Sequence, residues 1–294
     1  MDAEYQAFRN EEIMKIRFTK MQGCGNDYVY INGFTEKIEQ EKKPDFVRRV
    51  SDRHFGIGSD GVIFINPSKE ADFEMEMFNA DGSRSEMCGN GIRCVAKFVH
   101  DKGMTETSEF SIISGGQVKY MHLTVEEGVT KAVRVDMGEP VLVPAQVPVI
   151  AEGQQAVDEP ITVCGQQYRM TCVSMGNPHA VVFGEDVDHL DIERIGPHFE
   201  NHERFPRRTN TEFVEVLDRQ HVKMRVWERG TGETLACGTG CCATAVACVL
   251  NGLTDRHVTV DVLGGSLMID WDEATNRVFM TGPAEFVFEG EVEA

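Results

Sequence analysis

The sequence predicts an α/β (α+β) fold of two pseudo-symmetric domains, each a mixed sheet wrapped around a central helix, with the active site in the interdomain cleft. Three observations carry this expectation. One stretch occurs twice: Asn79-Ala80-Asp81-Gly82, leading to Cys88-Gly89-Asn90-Gly91 and Cys94, returns as Glu228-Arg229-Gly230, leading to Cys237-Gly238-Thr239-Gly240 and Cys242. Cys88 falls on Cys237 at an offset of 237 − 88 = 149, and Met75 and Phe78 fall on Met224 and Trp227 at the same offset. The turns ahead of each copy also repeat, with Asn26 matching Asn177 at 177 − 26 = 151. Lastly, 239–251 is rich in Ala, Cys and Val with almost no polar residue. A helix apolar all round is buried on every side, and a sheet wrapped round it meets that demand. Solenoid repeats run to roughly 20–50 residues, so a repeat this long is a pair of domains. Ligands of such pairs commonly bind between the halves.

In order along the chain, 14–20 alternate as a strand, Gly23-Cys24-Gly25-Asn26-Asp27 breaks it, and Tyr28 to Ile31 resumes. Residues 44–53 read as a short helix with Phe46, Val47 and Val50 on one face. An apolar strand at 62–65 and a strictly alternating one at 73–78 deliver the first cysteine. Residues 89–101 are helical, with Ile92, Val95, Ala96 and Val99 at i, i+3, i+4 and i+7, and Gly103 ends the helix. Strand-like runs at 109–114, 117–125 and 131–137 follow; Pro140, Pro144 and Pro148 then mark a linker. The second half replays the order: strands at 168–174 and 180–183, a helix near 191–202, strands at 213–216 and 222–228, then the second cysteine and its helix. The tail, 257–290, reads as three strands, one of which closes the first sheet. The expected domains are 1–134 with 281–294, carrying Cys88, and 135–280, carrying Cys237.

Composition limits the function. A formal charge of −19 disfavours nucleic acid and acidic membrane surfaces. Nine cysteines at irregular spacings, residues 1–13 without an apolar core and no membrane-length apolar run fit a reduced cytoplasmic enzyme. Whether residues 1–13 are a native extension is open at this point.

Cys88 and Cys237 stand in polar turns at the start of glycine-rich helices. Free N–H groups and the helix dipole there favour negative charge, so both are placed for thiolate chemistry. The other helix cysteines read as small buried apolar residues. No metal is expected, because Cys237, Cys241 and Cys242 lack a second paired knuckle and Cys164 and Cys172 sit in strand patterns. No cofactor is expected either: Gly56-Ile57-Gly58-Ser59-Asp60-Gly61 matches a dinucleotide fingerprint in letters, but a strand follows it instead of a helix. His179 is a general base, a ligand or a satisfied core histidine. Asn26, Asn79, Asn177 and Asn210 are turn residues, or amides for the charged ends of a ligand. Glu228 and Arg229 are a surface pair of little energetic weight, or cleft groups for an ammonium and a carboxylate.

At these residues the chain resembles the diaminopimelate epimerase family over nearly its whole length from about residue 14. The matching stretches are Gly25-Asn26-Asp27, Asp52-Arg53-His54 with Gly56-Ile57-Gly58, Phe78 to Gly82, Cys88 to Gly91, Ser174 to His179, Asn210, Glu228-Arg229-Gly230 and Ala236 to Gly240. The resemblance implies barrel-like sheets around each helix, a homodimer, and Cys88 and Cys237 as the catalytic acid/base pair. It implies that His179 and Glu228 bias which sulfur is ionised. Diaminopimelate would be held by Asn26, Asn79, Asn177, Asn210, Glu228 and Arg229, and its reacting carboxylate by the backbone N–H groups of Gly89, Asn90, Gly238 and Thr239. Two departures are visible: Gly61 stands where many members carry Gln, and Phe288 where some carry a Tyr at the dimer interface. The reaction implied is epimerisation of LL- to meso-diaminopimelate in lysine and peptidoglycan-precursor synthesis. The alternatives are a cysteine-pair racemase for proline or hydroxyproline, and a binding protein of the same fold.

Overall fold

A computed structural model describes residues 15–85 and 88–294; the leading residues 1–13 lie outside the described part. In the first half, alternating residues form strands β1 (Lys15–Gly23), β2 (Asn26–Asn32), β3 (Gly61–Asn66), β4 (Phe73–Asn79), β5 (Arg84–Ser85), β6 (Glu109–Ser114), β7 (Gln117–Glu126) and β8 (Val129–Gly138). Its helices are α1 (Lys43–Ser51) and α2 (Gly89–Asp101). The second half contributes β9 (Glu159–Val163), β10 (Gln166–Ser174), β11 (Pro178–Phe183), α3 (Ile192–Glu200), β12 (Asn210–Asp218), β13 (His221–Glu228), β14 (Gly232–Thr234) and α4 (Gly238–Leu250). Four strands end the chain: β15 (His257–Val262), β16 (Gly265–Trp271), β17 (Val278–Gly282) and β18 (Glu285–Glu293).

Pairing repeats as the sequence does. β1–β2 is antiparallel, β2–β3 parallel, β3–β4 antiparallel and β4–β6 parallel. β10–β11, β11–β12, β12–β13 and β13–β15 follow the same senses. β18 closes the first sheet against β1, in the role that β9 has against β10. The last strands of the two series, β8 and β17, pair with each other, so the halves are continuous in hydrogen bonding.

Each sheet curls over one helix. On α2, Ile92, Val95, Ala96 and Val99 are fully buried, and on α4 every residue from Cys241 to Cys248 is buried. Each Ile or Val so covered contributes roughly 1.5–3 kcal/mol. α1 and α3 pack outside, on Val29, Ile31 and Val62, and on Phe213 and Trp227 respectively. Gly196 of α3 is required by that packing, since an added Cβ would stand 2.3 Å from the Trp227 ring.

The structure corrects the sequence reading in three places. The tail holds four strands, because the Leu263-Gly264 turn reverses the chain between β15 and β16. β9 was not anticipated; its Pro160 fits because the strand pairs only with β10. Cys164 lies in the β9–β10 turn with φ 51° and is exposed, outside any strand.

Candidate active site

β4 and β13 each lead through a short strand to a cysteine, and each cysteine occupies the N-cap position of the helix that follows, Cys88 with a side-chain capping bond and Cys237 without one. Cys88 (φ −135°, ψ 114°) and Cys237 (φ −119°, ψ 107°) share one extended backbone conformation. The Cys88 sulfur accepts the N–H of Gly91 at 3.2 Å. The two helices meet head to head: a Cβ added to Gly89 would stand 3.7 Å from Gly238 Cα, and one added to Gly238 3.6 Å from Gly89 Cα. Met280 of β17 closes the gap, 3.0 Å from either added atom. A side chain at either position would press on Met280, while the two glycine backbones lie at ordinary contact distance from each other. The Asn90 amide crosses the same gap and donates to the Ala236 carbonyl at 3.2 Å.

Matching amides flank the sulfurs. The Cys88 thiol donates to Asn26 Oδ1 at 3.1 Å, and Asn26 Nδ2 donates to Asp60 at 2.7 Å. Opposite, Asn177 Nδ2 donates to the Thr239 hydroxyl at 3.2 Å, which stands 3.5 Å from the Cys237 sulfur. Asn177 Oδ1 faces His179 Nε2 at 3.0 Å, and His179 Nδ1 faces Glu212 Oε1 at 2.7 Å. Asn210 joins two loops: its Nδ2 donates to the Pro178 carbonyl at 2.8 Å and its Oδ1 accepts the Arg229 N–H at 2.9 Å. Asn79 pairs with Gly61 in the sheet and donates to Ser83. Glu228 accepts the Thr234 hydroxyl, and the Arg229 guanidinium donates to the Arg207 carbonyl at 3.0 Å. Asn26, Cys88, Asn90, Asn177, Thr239 and Cys237 thus lie around the two helix heads, while Asn79 and Arg229 are tied to adjoining loops.

Burial outweighs the helix N-termini at both sulfurs, contrary to the simplest expectation from their position. Burial pushes the Cys88 thiol up, against the opposing pull of the Gly91 and Asn90 N–H groups. The Cys237 thiol lies well above the ordinary thiol range, through burial first and then the charges of Glu228 and Glu212. Burial also raises Glu228.

Glu212, Tyr28 and Arg93 were missed by sequence reasoning. The Tyr28 hydroxyl stands beside Asn26 and Cys88, and burial drives its pKa far upward. Arg93 is fully buried and donates to the carbonyls of Gly89 and Pro283. Glu212 is fully buried one residue before the strand core read at 213–216. One signal could have found it: at the offset 212 − 149 = 63 the repeat places this carboxylate on apolar Ile63. Among the described residues, His179, Glu212 and Cys237 have ligand atoms within 4.8 Å of one another. A metal there would have to displace the His179–Glu212 bond.

The family model for diaminopimelate epimerase matches residues 18–143 and 171–287. The chain belongs to the diaminopimelate epimerase family. Diaminopimelate epimerase from Agathobacter rectalis is 56% identical over 285 residues, covering 95% of this chain and 99% of that protein. The diaminopimelate epimerase of Methanococcus maripaludis strain S2 is 54% identical over 278 residues, covering 95% of this chain and all of that protein. In fold the epimerase-family chain is similar to a phenazine biosynthesis protein of the PhzF family from Bacillus anthracis (TM-score 0.68, 16% identity, 96% of this chain and 100% of that one). It is also similar to a hydroxyproline epimerase from Agrobacterium vitis with bound trans-4-hydroxy-L-proline (TM-score 0.63, 13% identity, 95% and 91%). These likenesses support the mixed α/β fold of two pseudo-symmetric halves.

Both departures from the family pattern have a structural setting. A Cβ on Gly61 would stand 2.0 Å from the Phe78 carbonyl oxygen, so this backbone admits only glycine. Phe288 is half exposed on β18 and packs edge-on against Phe18 at 5.9 Å.

Proposed function

We propose that this protein epimerises LL-diaminopimelate to meso-diaminopimelate with its own side chains as the acid and base, without a cofactor. The observation that carries the reading is the head-to-head meeting of two cysteine-capped helices at Gly89 and Gly238. A carboxylate seated there faces N–H groups of both helices, which stabilise the charge that develops when the adjacent carbon loses its proton. One such donor is worth about 3 kcal/mol. A thiolate on one side takes the α-proton and becomes a thiol. The carbanion takes a proton from the thiol opposite, which becomes the thiolate. The centre is inverted, and the pair ends the turnover with its one proton on the other sulfur.

Asn26, Asn79, Asn90, Asn177, Asn210, Glu228 and Arg229 hold the substrate, with Glu228 and His179 also biasing the ionisation of Cys237. The domains are 1–134 with 281–294 and 135–280; these boundaries fall inside β8 and β17, the strands that pass from one half to the other. The enzyme works in the cytoplasm as a homodimer. Val287 and Phe288 of β18 are exposed apolar residues open to a partner surface, and among the described residues no helix is long and apolar enough to cross a membrane.

The test is incubation in deuterated water with LL-diaminopimelate, L-proline and trans-4-hydroxy-L-proline in parallel. Deuterium entering the α-position of diaminopimelate alone, with meso product, is the expected result. Exchange of the ring amino acids instead would move the assignment to the racemase reading, and no exchange to a binding protein.

A further inference from the structure

The pseudo-symmetry makes one buried group conspicuous. Tyr28 is the counterpart of His179 at the offset 179 − 28 = 151, and Ile63 that of Glu212 at 212 − 63 = 149. The sheets agree: Tyr30 pairs with Ile63 in the β2–β3 ladder, and Val181 with Glu212 in the β11–β12 ladder. A Cβ added to Gly91 would meet the Ile63 methyl at 2.8 Å, and one added to Gly240 would meet Glu212 Oε1 at 2.7 Å and the Cys237 sulfur at 3.3 Å. Hence a carboxylate stands behind the first turn of α4 where the other half has a hydrocarbon. Glu212 and His179 are both 0% exposed, and Glu212 Oε2 has no hydrogen-bond partner. A buried carboxylate with one oxygen unpartnered is costly and calls for a reason beyond packing.

We propose that Glu212 is a positioning residue that controls the protonation of Cys237 through a relay running Glu212–His179–Asn177–Thr239–Cys237. The inference rests on Cys237 being one of the two working sulfurs. Glu212 accepts the His179 Nδ1–H at 2.7 Å, which leaves Nε2 as the ring position free to carry or lack a proton. With Nε2 protonated, it donates to Asn177 Oδ1, Asn177 Nδ2 donates to Thr239, and the Thr239 hydroxyl donates to a Cys237 thiolate. With Nε2 bare, the Asn177 amide turns over and donates to it. Thr239 then donates to Asn177 Oδ1 and accepts the S–H of a Cys237 thiol. One proton differs between the two arrangements, on Nε2 in the first and on sulfur in the second, and every donor keeps an acceptor in both.

The neighbouring titratable groups lie outside this chain of bonds, although the Glu228 charge also acts on Cys237. Glu228 on β13 and Cys172 on β10 share the surroundings of Glu212, and Cys88 heads the opposite helix. Cys88 itself donates to Asn26, whose Nδ2 is committed to the Asp60 carboxylate, so its chain runs one way only.

The experiment measures α-hydrogen exchange in deuterated water with LL- and meso-diaminopimelate. It compares Cys88→Ala with Cys88→Ala/Glu212→Gln, and Cys237→Ala with Cys237→Ala/Glu212→Gln. Glu212→Gln should slow exchange through Cys237 about tenfold or more and leave exchange through Cys88 within about twofold, in line with the weight of positioned proton transfer. Glu212→Asp, which keeps the charge, should restore part of the loss and return the pH dependence of kcat/KM toward that of the parent. Equal losses in both cysteine backgrounds, whether from misfolding or general disturbance, would assign Glu212 a structural role and overturn the proposal. So would an unchanged pH profile, or no loss at all. If the single-cysteine parents show no one-sided exchange, it is the two-cysteine reading that has failed.

Discussion

Behind Cys88 the repeat sets Tyr28 and Ile63; behind Cys237, at the same offsets, it sets His179 and Glu212. The parts around these pairs match closely. Both cysteines cap a helix in the same backbone conformation, both are flanked by an asparagine from the turn before a strand, and their glycines touch. Symmetry supplies what the reaction needs twice, a sulfur on each face of one carbon. The differences supply what a perfect two-fold cannot, namely unequal proton affinity in a pair that must hold one proton between them. Burial raises both sulfurs, Glu228 presses on both and N–H groups of the following turn oppose it at both; the differences are Glu212, which presses on Cys237, and Arg93, which favours charge on Cys88.

The largest expected effect comes from removing the histidine side of the comparison. His179→Ala should lower kcat about 100-fold, within the range of lost acid–base assistance, while Tyr28→Phe lowers it less than about tenfold. Steady-state kinetics in both directions check this, and equal losses would erase the asymmetry.

A steric version is next. Gly240→Ala drives a Cβ to 2.7 Å from Glu212 Oε1 and 3.3 Å from the Cys237 sulfur, whereas Gly91→Ala meets the movable methyls of Ile63 and Met75 and stands 3.4 Å from Cys88 Cβ, clear of any carboxylate. Both gain about 1 kcal/mol of helix propensity. Gly91→Ala should therefore keep most activity, and Gly240→Ala should lose about tenfold or more in kcat/KM, as misplacing a reacting group does. Melting temperature measured beside kcat/KM separates the two causes.

The smallest effect lies in pH dependence. A thiol raised by burial is protonated at neutral pH, so the thiolate fraction of the free enzyme falls about tenfold for each pH unit below its ionisation. Activity in kcat/KM should rise from neutral pH toward pH 9.0, the ordinary thiol value, and beyond it. Glu228→Gln removes a negative neighbour and should move that rising limb to lower pH, chiefly by way of Cys237. A limb shifted upward would contradict the sign.

Much of this was legible in the sequence because the repeat is written in it. The helix expected at 89–101 is observed at Gly89–Asp101, since Cys88 and Gly103 mark its ends in residues of unambiguous type. Asn26 and Asn177 were found by their offset. What escaped has physical reasons. Glu212 lies in a strand whose alternation normally puts carboxylates outward; the ladder sets it opposite Val181, and only the side-chain bond shows it reaching His179. The burial that lifts both thiols depends on how two distant segments close over each other, which no local pattern contains. Asn210 was read as a ligand amide, yet its bonds to Pro178 and Arg229 show it also ties two loops together.

The most direct measurement of the two-sulfur account is α-hydrogen exchange of LL- and meso-diaminopimelate, followed by NMR in deuterated water, with Cys88→Ala and Cys237→Ala. Each variant keeps a base on one face of the carbon only and lacks the acid opposite. Net epimerisation should fall about 100-fold or more in both, and the residual exchange should favour opposite stereoisomers in the two variants. If either variant exchanged both stereoisomers equally, or kept ordinary two-way epimerisation, the pairing of Cys88 with Cys237 across one carbon would be contradicted.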